Sequence, residues 1–230
     1  MTTQEPLPSN KGAALTWPLW ATILLLGIAL GTIIAMSIHG ANSRFIYPLD
    51  DPYIHLSMAR NVAEHGVWGI TPYGFSASSS SPVWTALLAG LFFVMGSHDL
   101  IPLILNILLA IGLCVYIALR LRQLGLPPGI SFLSLAAMAF LTPLPALVLS
   151  GQEDLLHSLL SLACLDTAAI ALADPEDRRA RTRLFLFAAL VVGARYEGMF
   201  LVFVITCGLV LSKRFWTALA VAAAGAIGPL

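Results

Sequence analysis

Three short polar constellations carry the residue types that do chemistry. The first is the carboxylate pair Asp50-Asp51, just after Tyr47-Pro48. Neighbouring acids repel, so a pair calls for a reason. One carboxylate under apolar cover can serve as a general base, and two can hold a divalent cation, the one cofactor these residues suggest. Asp51 also has a plain structural use as a helix N-cap, with Pro52 at the first helical position. Asp50 is surplus to that cap. The second constellation is Glu153-Asp154, closing the polar knot Ser150-Gly151-Gln152. His157 stands four residues after Glu153, on a shared helical face. Acids at a helix N-terminus are also favourable without any chemistry. The third is Arg195-Tyr196-Glu197-Gly198, between two short apolar runs. Charges at membrane depth are costly and face a cavity or a partner. Arg195 suits a phosphate or simply a pair with Glu197.

The other polar residues read more plainly. Ser76 and Ser78–Ser81 form a serine run before Pro82, either a linker or a source of hydroxyls. His39, His65 and His98 lack metal spacing. Cys114, Cys164 and Cys207 each sit in an apolar run and read as small hydrophobes.

The elements that must position these groups are membrane helices. Of the 230 residues, 58% are hydrophobic and 10% charged, and the 12 basic side chains balance the 12 acidic ones. Soluble domains carry about 25% charged residues. A water-soluble enzyme, a nucleic-acid binder and a disordered chain are excluded. Leu15–Ile38 is too long for the roughly 7–15-residue core of a signal peptide and reads as an uncleaved first span. Trp17 and Trp20 suit an interfacial belt. A long polar stretch, 39–82, follows. It holds one amphipathic helix from Asp51 to the stop at Gly66, with Ile54, Met58 and Val62 on its apolar stripe and Ser57, Asn61 and Glu64 facing away. Val83–Met95 is too short to cross a bilayer comfortably and reads as interfacial or re-entrant. Further apolar runs are Leu100–Leu119, Ile130–Leu149 (interrupted by Pro143 and Pro145), Leu155–Ala173, the short pair Leu184–Ala194 and Met199–Leu211, and Phe215–Leu230. The expected fold is all-α: a polytopic transmembrane bundle of about six to seven spans, with an interfacial helix in a long first outer loop. Residues 1–14 read as a cytoplasmic lead and 15–230 as the transmembrane domain.

Basic residues collect on the cytoplasmic side of membrane proteins. If Val83–Met95 does not cross, Lys11, Arg120, Arg122, Arg178, Arg179, Arg181, Arg183, Lys213 and Arg214 share one face, leaving Arg44, Arg60 and Arg195 opposite. The N-terminus is then cytoplasmic. Asp50, Asp51, Glu64, Asp99, Glu153, Asp154, Glu197 and the five histidines fall on or near the other side.

In order along the chain stand Asp50-Asp51-Pro52-Tyr53-Ile54-His55-Leu56, Ala59-Arg60-Asn61, Ser81-Pro82-Val83-Trp84-Thr85, Ser150-Gly151-Gln152-Glu153 and Arg195-Tyr196-Glu197-Gly198. This series resembles the GT-C superfamily of integral-membrane glycosyltransferases. It is most similar to bacterial relatives of the protein mannosyltransferases and to the mycobacterial arabinofuranosyltransferases. The fourth segment resembles the family's Ser-Gly-x-Glu, and the fifth its Arg-Pro-Glu-Gly, with Tyr196 in place of proline. The resemblance implies a polyprenyl-phosphate-linked sugar donor in the bilayer of a bacterial plasma membrane. It also implies a glycan, lipid or protein acceptor, and hexosyl or pentosyl transfer on the extracytoplasmic side, usually with inversion. Asp50 or Asp51 then occupies the position of the catalytic carboxylate. His55, Arg60, Glu153, Arg195 and Glu197 fall at substrate-binding positions, Arg195 towards the donor phosphate. Family members carry more spans, and Phe215–Leu230 reads as an unfinished one, so a truncated member is expected. A non-catalytic membrane subunit or inactive fragment, and a transporter or flippase built on the broken pair around Arg195, are the competing readings.

Overall fold

The computed structural model describes residues 16–40 and 44–227, and every regular element among them is a helix. The polar lead with Lys11, and Gly228-Pro229-Leu230, lie outside the described residues. The helices are α1 (Thr16–Gly40), α2 (Asp51–His65), α3 (Pro82–Met95), α4 (Ile101–Gln123), α5 (Pro128–Leu141), α6 (Leu144–Ser150), α7 (Asp154–Ala173), α8 (Arg178–Ala194), α9 (Gly198–Leu211) and α10 (Phe215–Ile227).

The all-helical, apolar bundle matches the composition. α1, α4 and α7 are long and apolar enough to cross a membrane. α5 and α6 make a fourth such segment if taken together, bent by 48°. Pro143 and Pro145 lack the N–H groups that a continuous helix needs there. α3, α9 and α10 are apolar but have 14, 14 and 13 residues, short of the roughly 20 a span requires. Three to four full-length candidates therefore stand where six to seven spans were expected, with shorter apolar helices making up the rest.

The chain divides into two compact units. One comprises 1–46 and 110–149, the other 47–109 and 150–230. In the first, α1 packs on α5, with the Trp17 and Phe132 rings 5.6 Å apart.

The second unit contains all three constellations. Its core is built from small and branched side chains: Cys164 and Ala168 of α7, Leu184, Ala188, Val191 and Val192 of α8, Val202, Ile205 and Leu209 of α9, Ala218 and Val221 of α10. Small residues let helix backbones approach closely. A Cβ on Gly225 would stand 2.8 Å from Val202 Cγ1, so α10 meets α9 where only glycine fits. α7 and α8 form a hairpin across a short turn at 174–177. The guanidinium of Arg214 donates to the carbonyls of Ala171 and Leu172, satisfying orphan groups at the C-terminus of α7.

α2 ends as its sequence implies, at Gly66 with φ +68°. Its buried face differs from the expected stripe. Pro52, His55, Leu56, Met58, Ala59 and Asn61 are buried, packed towards α3. Ile54 and Val62 are only half-buried. Asn61, expected outside, donates to the Gly69 carbonyl at 2.8 Å. A buried histidine and asparagine with hydrogen-bond partners carry this face, which a count of apolar residues cannot reveal.

Candidate functional site

The acidic pair sits at the start of α2. Asp50 is the N-cap residue, and Asp51 is the first helical residue. This corrects the expected cap at Asp51. Asp50 has helical backbone angles (φ −86°, ψ −29°), and its side chain makes no capping bond. Capping needs an extended backbone that swings the carboxylate back over the first turn. Both carboxylates are exposed, without the apolar cover expected for a general base, and Asp51 adds an acid to the first turn. Asp51 Oδ2 accepts a hydrogen bond from Gln152 Nε2 at 3.0 Å, joining the first constellation to the second across a hundred residues of chain.

One turn along α2, His55 is 2% exposed. Its Nδ1 lies 2.8 Å from Thr85 Oγ1, and its Nε2 lies 3.4 Å from Glu153 Oε2. Thr85 Oγ1 is 2.9 Å from Ser79 Oγ, which accepts from the backbone N–H of Ser81. The chain runs in one direction when Nδ1 of His55 accepts from Thr85. Ser79 donates to Thr85, Thr85 donates to His55, and His55 faces the carboxylate. The serine run is therefore no plain linker. Ser79 and Ser81 are buried, and Ser81 caps α3 by accepting from Trp84 N.

Glu153 is the buried centre of the site, 4% exposed. It is the N-cap of α7, outside the helix itself. The expected pairing with His157 fails for that reason, since the i, i+4 rule holds only within a helix. His157 instead lies against the Val191 carbonyl, with Nδ1 at 3.2 Å. Burial pushes the Glu153 carboxyl upward. His55 and the more distant Arg195 outweigh burial and hold it below the ordinary carboxylate range. Its Oε2 makes no hydrogen bond among the described residues.

Arg195 follows the last turn of α8. Its guanidinium pairs with Asp154, bonds Glu197 at 3.1 and 3.4 Å, and lies 3.8 Å from Glu153 Oε1. The Glu197 bond, supported by Asp154 and Glu153, holds Arg195 above its ordinary value against partial burial. Reciprocally, Arg195 holds Glu197 low. Tyr196 donates to the Ser79 carbonyl at 3.3 Å, tying the third constellation to the serine run.

Two glycines are required by close approach. Gly151 has φ +73°, and a Cβ there would lie 2.5 Å from the Tyr47 ring. Tyr47 is itself fixed: its hydroxyl donates to Asp99 O at 2.7 Å and accepts from Leu103 N at 3.1 Å. Burial pushes its phenol far above the usual range. A Cβ on Gly198 would lie 2.5 Å from the Val191 carbonyl.

The structure thus brings Asp51, His55, Glu153, Arg195 and Glu197 into one connected array, with Asp50 on its rim. Arg60 does not join it. That side chain pairs with Asp99 at 3.2 Å, with both partners well exposed. Residues given no role from sequence are Thr85, Gln152 and Asn106, while Ser79 belongs to the serine run read as a linker or a source of hydroxyls. Asn106 is fully buried on α4 and donates to the Gln152 carbonyl at 2.9 Å. A lone asparagine inside an apolar run was its only signal. No group of three or more His, Cys, Asp or Glu side chains suited to a metal exists among the described residues. A cation would have the exposed Asp50 and Asp51 carboxylates alone.

No protein-family model, curated protein or solved structure matches this chain.

Proposed function

We propose that this chain is an integral-membrane glycosyltransferase of the GT-C type. It moves a sugar from a polyprenyl-phosphate donor to an acceptor hydroxyl on a glycan, lipid or protein. The observation that carries this reading is convergence. Four segments that resemble family motifs, far apart in sequence, meet through Asp51–Gln152, His55–Thr85, His55–Glu153 and Glu153–Arg195. Asp50 and Asp51 are the exposed carboxylates of the array and serve as base for the acceptor proton. Glu153 is too enclosed for that task and anchors the knot. Arg195 is engaged by carboxylates. Its bond to Glu197 is solvent-exposed on the acid's side and weakly held, so a donor phosphate replaces Glu197 there.

The second unit supports an extracytoplasmic site. α7 is 20 residues long, about 30 Å. The acidic array lies at its N-terminal end, and the basic start of α8 lies beyond its C-terminal end. With basic residues cytoplasmic, the array faces the opposite side.

The test is transfer from a polyprenyl-phosphate sugar in membranes carrying the full chain. Replacing Asp50 and Asp51 together with Asn lowers transfer by about 100-fold or more. Undiminished transfer by that variant contradicts the assigned base. Uptake into vesicles without product supports the transporter reading instead. Activity that belongs wholly to a co-purifying polytopic chain supports the non-catalytic subunit.

A further inference from the structure

At the other end of the α7–α8 hairpin, a cavity of about 330 Å³ is lined by Arg178, Arg181, Thr182 and Phe185 of α8 and by Trp216 and Thr217 of α10. Neither guanidinium has a hydrogen-bond or ion-pair partner among the described residues. Two of the three neighbouring carboxylates are turned to backbone: Asp177 accepts from Ala180 N, and Asp174 accepts from Glu176 N. Arg181 is half-buried and Arg178 exposed. Two unpaired guanidiniums and the Thr217 hydroxyl around one space are donors for a phosphate group, while the Thr182 hydroxyl donates to the Arg178 carbonyl.

The flanks add a second requirement. One turn beyond the donors on the same helix faces stand Leu186 (four residues from Thr182) and Leu219 (three from Trp216), 56% and 60% exposed. Trp216 is 85% exposed. An aromatic ring at a polar–apolar boundary is the usual anchor at a bilayer surface. Charged donors therefore lead directly onto exposed apolar helix surface, as a headgroup leads onto acyl chains.

We propose that this cavity binds the phosphate-bearing headgroup of an anionic membrane lipid, with its acyl chains along the exposed faces of α8 and α10. Basic pockets between membrane helices recognise such headgroups, each basic side chain adding a modest electrostatic contribution. The inference is independent of the sugar-transfer reading and uses none of its residues.

The experiment measures tryptophan quenching in the detergent-solubilised full chain, titrated with brominated phosphatidylglycerol or brominated phosphatidylcholine. Subtracting the Trp216→Phe variant isolates the Trp216 signal. The expected result is half-maximal quenching at about tenfold lower phosphatidylglycerol than phosphatidylcholine. Arg178→Ala/Arg181→Ala removes that preference. Arg178→Lys/Arg181→Lys retains most of it, which shows that the fold survives substitution. Arg179→Ala/Arg183→Ala removes the same charge from the same helix without touching the cavity, and it keeps the preference. Equal quenching by the two lipids overturns the proposal. So does equal loss in both alanine pairs, which would mark diffuse attraction. Inorganic phosphate competing as well as the lipid overturns it in favour of a soluble anion.

Discussion

The two ends of the α7–α8 hairpin hold their charges by opposite means. At the N-terminal end of α7, Arg195 is surrounded by Asp154, Glu197 and Glu153, and His55 faces Glu153 from α2. Three carboxylates there share one guanidinium inside the fold. At the start of α8, Arg178 and Arg181 face a cavity with no acid against them. A paired, partly buried cluster is a device for fixing geometry, because removing one partner strands the others in low dielectric. Unbalanced charge at a surface is a device for meeting something else. The difference teaches where substitution should damage the fold and where it should damage only binding.

The largest effect is expected from Arg195→Leu. It leaves Asp154 and Glu153 without their guanidinium. The cost is about 2–4 kcal/mol, below the figure for a fully buried pair because the side chain is 30% exposed. Unfolding in mixed micelles by denaturing detergent measures it. Arg181→Leu, the corresponding change at the basic end, should leave stability within about 0.5 kcal/mol of wild type. Equal losses would break the comparison.

Gly151→Ala comes next. The left-handed backbone costs a side chain about 1–2 kcal/mol, and the contact with Tyr47 adds to it. Combining it with Tyr47→Leu should recover the steric part only. Full additivity in the same unfolding assay would show that the ring is not what excludes the methyl group.

The acidic end should also be the pH-sensitive end. Glu153 is held below the ordinary range in the folded chain. Its contribution is therefore fully present above the unfolded value of about 4.3. It is lost as pH falls through the lower, folded value. Thermal unfolding followed from pH 6 down to pH 3 should show this loss, partly offset by Asp154, whose carboxyl is pushed above its ordinary range by burial, and Glu153→Gln should reduce it. Among changes at ion pairs, the smallest effect belongs to Arg60→Ala. Its exposed pair with Asp99 contributes about 0–1 kcal/mol, and transfer activity should be untouched.

Much of the frame could be read from the chain. Length and apolarity mark α1, α4 and α7, the prolines mark the α5–α6 break, and Gly66 marks the end of α2. The three constellations were visible as types and spacing. Their wiring was not. Glu153 reads as a partner of His157 because four residues separate them, but a cap residue points outside the helical register. Its actual partner, His55, lies on another helix, and no local rule connects the two. Thr85 and Ser79 became visible only once α2 and α3 were packed, since a hydroxyl beside a buried imidazole has no sequence signature. The unpaired state of Arg178 and Arg181 is likewise a property of packing, because Asp174 and Asp177 are near enough in sequence to suggest pairs.

Distant segments form one coupled array around Glu153. A double-mutant cycle between His55→Gln and Glu153→Gln tests it most directly, with unfolding free energy as the readout. The account predicts that the double variant loses little more than the worse single variant, a coupling of about 1–2 kcal/mol. Losses that simply add would contradict it.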